Sequence, residues 1–395
     1  MHADIERLMI RSDYATADLI RGREAWCSLD ADGRAEFAER RRLIVRRTAG
    51  AYYRAGQEIQ TSGSTAGMAR RYRWGPRMWD FHAYHRHLCF GDLGQTVQYY
   101  LHLETGGAQR QPFHVSEEKE HSEGRIRFVV LDDPERDAER LRDALIAEAR
   151  RPLVWIMPQQ AETAIRRDRK VFEVLGEAHP VFHSTGEPCP EATKDYFRDR
   201  GLKLRDTMRV WNGGVAFYTC PHGGVHWDDF AAGREIRDGD LHASDYWNLA
   251  QYFWDYPTGD RLAIEEVGPC ACGLPAQRNT WESRTLSVEL PDGRIFRYED
   301  LRATFIAAAR ANEDTLVGVN FGVGPNQLAV FYEFLNPDWV VPPGTAERLT
   351  AVARLPASMR VRVVRDQIYG TFKPRRLFKD DDETIDRIVD KCRDV

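Results

Sequence analysis

The sequence predicts an α/β protein, with a large N-terminal domain built on parallel sheets and a small α+β domain after it. Three observations carry this. Between residues 126 and 200, apolar strand-like runs alternate with helical stretches, the pattern of a parallel sheet with crossover helices. After about residue 280 the rhythm changes to a hairpin, short strands and short helices. The chain has 395 residues, 42% of them hydrophobic, which fits a large domain plus a smaller one better than one small core.

Taken in order, the first sixty residues are Arg-rich, with apolar residues at helical spacing around Phe37, Leu43 and Val45. Residues 126–131 read as a strand. Pro134 opens an amphipathic helix through Leu141, Leu145 and Ile146, and residues 153–157 read as a second buried strand. Another helix runs to about Leu175, followed by a short strand at 180–183 and a helix opened by Pro190. Beyond these, residues 286–298 read as a hairpin turning at Pro291-Asp292-Gly293. A helix over 299–311, strands at 317–319 and 328–332, a helix over 346–355 and a strand at 361–364 complete the chain. The boundary is set between residues 280 and 285, giving domains 1–280 and 285–395.

Composition removes several classes of function. The 56 basic and 61 acidic residues are well mixed and give a net charge of -5. No basic stripe with interleaved aromatics stands out, so nucleic acid is not the expected partner. No stretch approaches the roughly 18 apolar residues of a membrane span. The start of the chain lacks the basic and apolar regions of a signal peptide. Seven cysteines do not make a secreted disulfide framework, and the expected location is the cytoplasm. The only guide to oligomeric state is general, the homodimer being the commonest assembly of soluble enzymes.

Four segments carry chemistry. In Thr61-Ser62-Gly63-Ser64-Thr65-Ala66-Gly67, densely packed hydroxyls and glycines suit a loop that wraps phosphate oxygens, although a flexible Ser/Gly surface loop has the same composition. It lacks the Gly-Lys-Ser/Thr ending of a Walker A loop. Ser184-Thr185-Gly186-Glu187-Pro188 follows a strand and precedes a helix, at the strand end where α/β sheets bind ligands. It also reads as an ordinary strand-to-helix turn. Asp206-Thr207-Met208-Arg209-Val210-Trp211-Asn212-Gly213-Gly214 comes third, and Tyr256-Pro257-Thr258-Gly259-Asp260 fourth. A carboxylate after a tight glycine turn suits a ribose diol.

In this order and spacing the four segments resemble the adenylate-forming (acyl-CoA synthetase-like) superfamily, most closely its branch of phenylacetate–CoA ligases and short acid–amine ligases. The resemblance runs from about residue 50 to the C-terminus. It implies a large N-terminal domain that binds ATP with Mg²⁺ and a carboxylic acid, and a mobile C-terminal domain. In Gly370-Thr371-Phe372-Lys373-Pro374-Arg375-Arg376 it makes Lys373 the catalytic lysine, bridging carboxylate and α-phosphate as charge builds. Without the resemblance the segment is equally a solvated basic surface. The implied ATP-binding residues are Thr61, Ser62, Gly63, Ser64, Thr65, Gly186, Glu187, Pro188, Arg209, Trp211, Asn212, Asp260 and Arg284.

Cys220-Pro221-His222-Gly223-Gly224-Val225-His226 and Cys270-Ala271-Cys272-Gly273 lie about fifty residues apart. Thiolates and imidazoles are what tetrahedral zinc selects. The same branch often has this pattern, which implies a closed structural Zn²⁺ site of Cys220, His226, Cys270 and Cys272. His222 is the competing ligand, and reduced cysteines without metal are the alternative.

The chain also departs from the family pattern. Ala66 stands where glycine is usual. The adenine-stacking aromatic becomes Met208, with Trp211 able to cover the same face, and the Mg²⁺-holding glutamate becomes Asn212, a weaker ligand for a hard cation. The acidic hinge residue is absent from Glu282-Ser283-Arg284-Thr285-Leu286. The expected function is therefore ATP-dependent activation of a carboxylic acid, aromatic or amino, as its acyl-adenylate, then transfer to an amine or other nucleophile in specialised metabolism. The alternatives are an acyl-CoA ligase with a thiol acceptor and a catalytically degenerate nucleotide- or acid-binding relative. Trp79, Phe81, Tyr84 and His85 are candidates for the acid pocket and equally for packing.

Overall fold

The computed structural model describes residues 1–10, 14–48, 57–60, 71–75, 78–94, 97–103, 114–121, 124–131, 134–166, 170–185, 189–210, 214–284, 287–290, 293–311, 316–334, 339–365 and 377–393. The chain opens with helices α1 (Ala3–Ile10), α2 (Thr16–Cys27) and α3 (Ala31–Thr48). Strands β1 (Gln57–Gln60) and β2 (Arg71–Trp74) form a two-stranded antiparallel ribbon, and α4 (Met78–Phe90) follows.

An eight-stranded sheet forms the centre. Its strands are β3 (Gln98–Leu103), β4 (His114–His121), β5 (Gly124–Leu131), β6 (Leu153–Ile156), β7 (Val181–Thr185), β8 (Lys203–Val210), β9 (Gly214–Thr219) and β10 (Val225–Trp227), in the order β10-β9-β8-β7-β6-β3-β5-β4. The five strands from β8 to β5 are parallel, while β4, β9 and β10 are antiparallel. The expected parallel sheet is thus a mixed one. The short hairpins that add β4, β9 and β10 need no crossover helix, so no helical pattern in the sequence announces them.

Helices α5 (Pro134–Ile146), α6 (Pro158–Arg166), α7 (Val171–Gly176) and α8 (Glu191–Asp199) cover one face. There Leu141, Leu145, Ala161, Phe172 and Phe197 pack on Tyr99, Leu101, Val154 and Phe182. The opposite face carries an in-register row of Arg205, His183, Trp155, Tyr100 and Phe128 across five strands. Its rings contact one another along the row, Tyr100 stacking on Trp155 at 4.6 Å and Trp155 meeting His183 at 4.0 Å.

The N-terminal helices are part of the core. Leu19, Trp26 and Phe37 pack with Phe81, Tyr84, Phe230 and Trp247 in one buried cluster. Arg41 is fully buried, its guanidinium 4.1 Å above the Trp247 ring and its Nε donating to the Tyr246 carbonyl at 2.7 Å. Burial pushes its pKa down to about 10.

A four-stranded antiparallel sheet follows, of β11 (Ala232–Arg237), β12 (Asp240–Asp245), β13 (Tyr256–Pro269) and β14 (Pro275–Arg284). It packs on the large sheet through Met208, Phe217 and Trp227 against Leu241, Ala243 and Leu262. The last part contains the hairpin β15 (Ser287–Glu289) and β16 (Ile295–Arg297), helix α9 (Tyr298–Ala309), strands β17 (Leu316–Val323) and β18 (Gln327–Phe334), helix α10 (Thr345–Val352), strands β19 (Arg360–Arg365) and β20 (Leu377–Lys379), and helix α11 (Asp382–Arg393). Its sheet runs β19-β18-β17-β20. Phe305 and Leu349 of α9 and α10 pack against Phe321, Val330 and Tyr332. Ile385 and Val389 of α11 pack with Ala329, Phe331 and Val364. The strands expected between residues 126 and 200 and after 286 are found within a few residues of their places, as are the helices, except that the one helix expected to run to about Leu175 is two, α6 and α7. Among the described residues, no helix is long and apolar enough to cross a membrane.

Candidate functional site

The cysteine and histidine residues converge. Cys220 follows β9, and a tight turn returns the chain to β10: the Gly223 N–H donates to the Cys220 carbonyl and the Cys220 N–H to the Gly224 carbonyl, both at 2.9 Å. The tip of the long β13–β14 hairpin repeats this geometry. The Gly273 N–H donates to the Cys270 carbonyl and the Cys270 N–H to the Leu274 carbonyl, again at 2.9 Å. Gly223 and Gly273 share the same positive φ of 86°, a conformation that favours glycine.

The two turns face each other. Cys220 Sγ lies 3.6 Å from Cys270 Sγ, and Cys272 Sγ lies 3.3 Å from His226 Nε2. All four ligand atoms lie within 4.8 Å of one another. Two thiolates on a tetrahedral zinc stand about 3.8 Å apart at about 2.3 Å per bond, so this group has the dimensions of a metal site. His226 Nδ1 is 2.7 Å from the Pro275 carbonyl, to which it donates, turning the Nε2 lone pair toward the sulfurs.

Burial pushes the Cys220 thiol up to about 11 and the His226 imidazolium below its usual value. At Cys270 burial opposes the thiolate, but hydrogen bonds from Cys272 and Cys220 outweigh it and its pKa falls. A Cβ on Gly224 would come 2.5 Å from Cys270 Sγ and 2.9 Å from His226 Nε2, so only glycine leaves the centre of the group open. The competing ligand, His222, is exposed and stands outside the group.

Behind this group sits a buried polar cluster that the sequence did not signal. Asp228, 1% exposed, follows β10 and accepts a hydrogen bond from the Tyr84 hydroxyl at 2.8 Å. Arg23 Nε and His85 Nε2 lie 3.5 and 3.6 Å from its carboxylate oxygens. Arg23 also donates to the Tyr218 hydroxyl at 2.7 Å, and the Tyr218 ring neighbours His226. Phe81, Tyr84 and His85 are therefore occupied in the core and in this cluster, the packing alternative.

The other candidate residues fall into two groups. Thr61, Ser62, Gly63, Ser64, Thr65, Gly186, Glu187, Pro188, Trp211, Asn212 and Lys373 lie outside the described residues. Arg209 stands in β8 and Arg284 at the end of β14. Asp260, 2% exposed, lies in β13 and is the register partner of Arg284, which sets these two positions side by side. Thr258 Oγ1 accepts a hydrogen bond from the Asp260 N–H at 3.1 Å. Met208, the counterpart of the adenine-stacking aromatic, is buried in the core between the two sheets.

The framework around the motif segments is well defined. Ser184 and Thr185 end β7 beside Asp206 and Thr207 of β8. Thr207 Oγ1 is 2.7 Å from His183 Nε2 and donates to Thr185 Oγ1 at 3.2 Å. Asp206, its side chain 18% exposed, lies 3.9 Å from Lys194 Nζ of α8. The ribbon β1–β2 pairs Gln60 with Arg71, the residues that bracket 61–70.

No family model matches the chain, and no curated protein matches it by sequence. Among solved structures it is similar to 2-hydroxyisobutyryl-CoA ligase in the postadenylation state with R3-HIB-AMP, at 13% identity over 86% of this chain and 76% of that one, with a TM-score of 0.46. It is also similar to ATP-bound MatB from Rhodopseudomonas palustris, at 12% identity over 84% and 67%, TM-score 0.46. The amide bond synthetase McbA from Marinactinospora thermotolerans gives 12% identity over 83% and 67%, TM-score 0.45.

Proposed function

We propose that this chain is an AMP-forming ligase that activates a carboxylic acid with ATP. The observation that carries the reading is a link between two of the motif segments. Arg73, in the strand that leaves the Thr61–Thr65 segment, is hydrogen-bonded by Asn248 and Gln251, in the loop that leads to the strand bearing Asp260. Segments nearly two hundred residues apart in sequence belong to one structure, as a shared nucleotide site requires.

In this reading Thr61, Ser62, Gly63, Ser64 and Thr65 cradle the phosphates, and Gly186, Glu187 and Pro188 line the adenosine. Asp260 accepts from the ribose hydroxyls. Arg209 and Arg284 offset phosphate charge alongside Mg²⁺, with Asn212 beside the ion and Trp211 covering the adenine face. The carboxylate oxygen attacks the α-phosphorus, and pyrophosphate leaves with the bonding electrons of the α–β bridge. Lys373, on the mobile domain 285–395, neutralises the charge that builds between them. An amine then attacks the acyl carbon, AMP departs, and the amine proton passes to solvent. A thiol acceptor would give a thioester by the same route.

The group of Cys220, His226, Cys270 and Cys272 is proposed to hold structural Zn²⁺. Four protein ligands leave no open position for hydrolytic chemistry. The metal would join the β9–β10 turn to the β13–β14 tip.

The first experiment is ATP–pyrophosphate exchange with a panel of aromatic and amino acids, run beside Lys373→Ala. Exchange should depend on one class of acid and fall about 100-fold or more in the variant. ATP binding without exchange for any acid would refute the enzyme and favour a nucleotide-binding relative, with Asn212 as the first residue to restore to glutamate. Turnover with added amine or coenzyme A then separates the acceptors. For the metal, elemental analysis should find one zinc per chain, lost in Cys270→Ser together with several degrees of melting temperature. A metal-free wild type of equal stability would dismiss the zinc.

A further inference from the structure

Among the described residues the ribbon β1–β2 pairs with no third strand, and a two-stranded ribbon alone is marginal in water. Its outer edge is held by side chains instead. The Arg73 N–H donates to Gln251 Oε1 at 2.9 Å, and the Arg73 carbonyl accepts from Asn248 Nδ2 at 3.0 Å. Both outward polar groups of one backbone residue are thus claimed by one loop.

That loop is itself fixed. Asn248 is 1% exposed, and its Oδ1 accepts from the N–H groups of Ala250 and Gln251 at 3.1 and 3.4 Å. Asp245 Oδ1 accepts from the N–H groups of Trp247 and Asn248 at 2.8 and 3.0 Å. The buried Arg41 holds the Tyr246 carbonyl from the N-terminal helices. Residues 246–255 join β12 to β13, and their base is tied by the Asp245 N–H donating to the Phe253 carbonyl at 2.9 Å.

We propose that Asn248 and Gln251 are positioning residues for the nucleotide: through the Arg73 backbone they set where the strand leaving the phosphate segment stands relative to Asp260. Resting on the adenylation reading for the identity of the ligand, this role predicts that the clasp governs affinity for ATP and leaves the acid untouched. Neither side chain needs to contact the nucleotide.

Three substitutions separate this role from simple support of the fold. Asn248→Asp keeps the side chain's shape and the acceptor oxygen used in its own turn, but removes the donor to the Arg73 carbonyl. Gln251→Glu keeps the acceptor for the Arg73 N–H, and Gln251→Ala removes it. Titration calorimetry with Mg–ATP reads the affinity, thermal melting reads stability, and hydrogen–deuterium exchange over residues 57–75 reads the clasp. The ATP dissociation constant should rise about tenfold in Asn248→Asp and Gln251→Ala and stay within about twofold in Gln251→Glu. The KM for the acid should not move, and exchange at Arg73 should quicken only where a bond is lost.

Faster exchange at Arg73 with unchanged ATP affinity overturns the role and leaves the clasp as structure alone. Equal losses for ATP and acid, following melting temperature, overturn it too. If Asn248→Asp fails to fold, the contrast between Gln251→Ala and Gln251→Glu decides. A wild type that binds no ATP overturns the adenylation reading and this role together, a result told apart by the wild-type titration itself.

Discussion

Two carboxylates at the second half of the large sheet respond to burial in opposite directions. Asp228 has Tyr84, Arg23 and His85 around it. Burial works against its charge, yet His85, Arg23 and Tyr84 outweigh it and hold the pKa below the ordinary carboxylate value. Among the described residues, Asp206 faces one cation, Lys194 at 3.9 Å, and its Oδ1 has no hydrogen-bond partner. There burial wins and pushes the pKa up to about 6. At Lys194 the balance reverses, and the pull of Asp206 and Glu191 outweighs burial and raises its pKa. Loss of water alone does not set the charge of a buried acid; the number and closeness of donors does.

The comparison breaks first at Asp228. Asn in its place leaves Arg23 buried beside a neutral amide, and urea unfolding should show a loss of about 3–5 kcal/mol. A change below about 1 kcal/mol would mean that the cluster is not held by charge. Asp206→Asn tests the other side. A raised carboxylate pKa contributes stability that is fully present below the unfolded value near 3.8 and lost as pH rises through about 6. The wild type should therefore lose on the order of 1–3 kcal/mol, relative to Asp206→Asn, between pH 4 and about 6.5. Parallel stability curves over that range would count against the raised pKa. The smallest effect belongs to Tyr84→Phe, which removes one donor of several and should cost about 1 kcal/mol in the same urea assay.

How far the sequence carried is clearest element by element. Residues 126–200 were legible because the apolar run Leu153–Ile156 and the β7 strand, which opens on Val181 and Phe182, lie between amphipathic helices. The span from Lys203 to Arg284 was not, since its seven strands are short or half-exposed and joined by hairpins. The three cysteines could be picked out because they sit in two short turns that each reach a glycine, whereas His226, in β10, was set apart from His222 only by the family resemblance. Asp228 and Arg23 could not be found this way: they are ordinary residues more than two hundred positions apart, joined only by packing. Asn248 and Gln251 were silent for the same reason, because an amide that holds a backbone leaves no spacing to detect.

Gly224 has a consequence for relatives of this chain. Its missing side chain keeps open the space between Cys270 Sγ and His226 Nε2. A homologue with all three cysteines and the histidine in place, but with alanine or larger at that position, would have its donors propped apart by a methyl group. On the zinc proposal, such a sequence would match every proposed ligand position and still hold no ion. The glycine, which touches no metal, is thus as informative as the four residues that would.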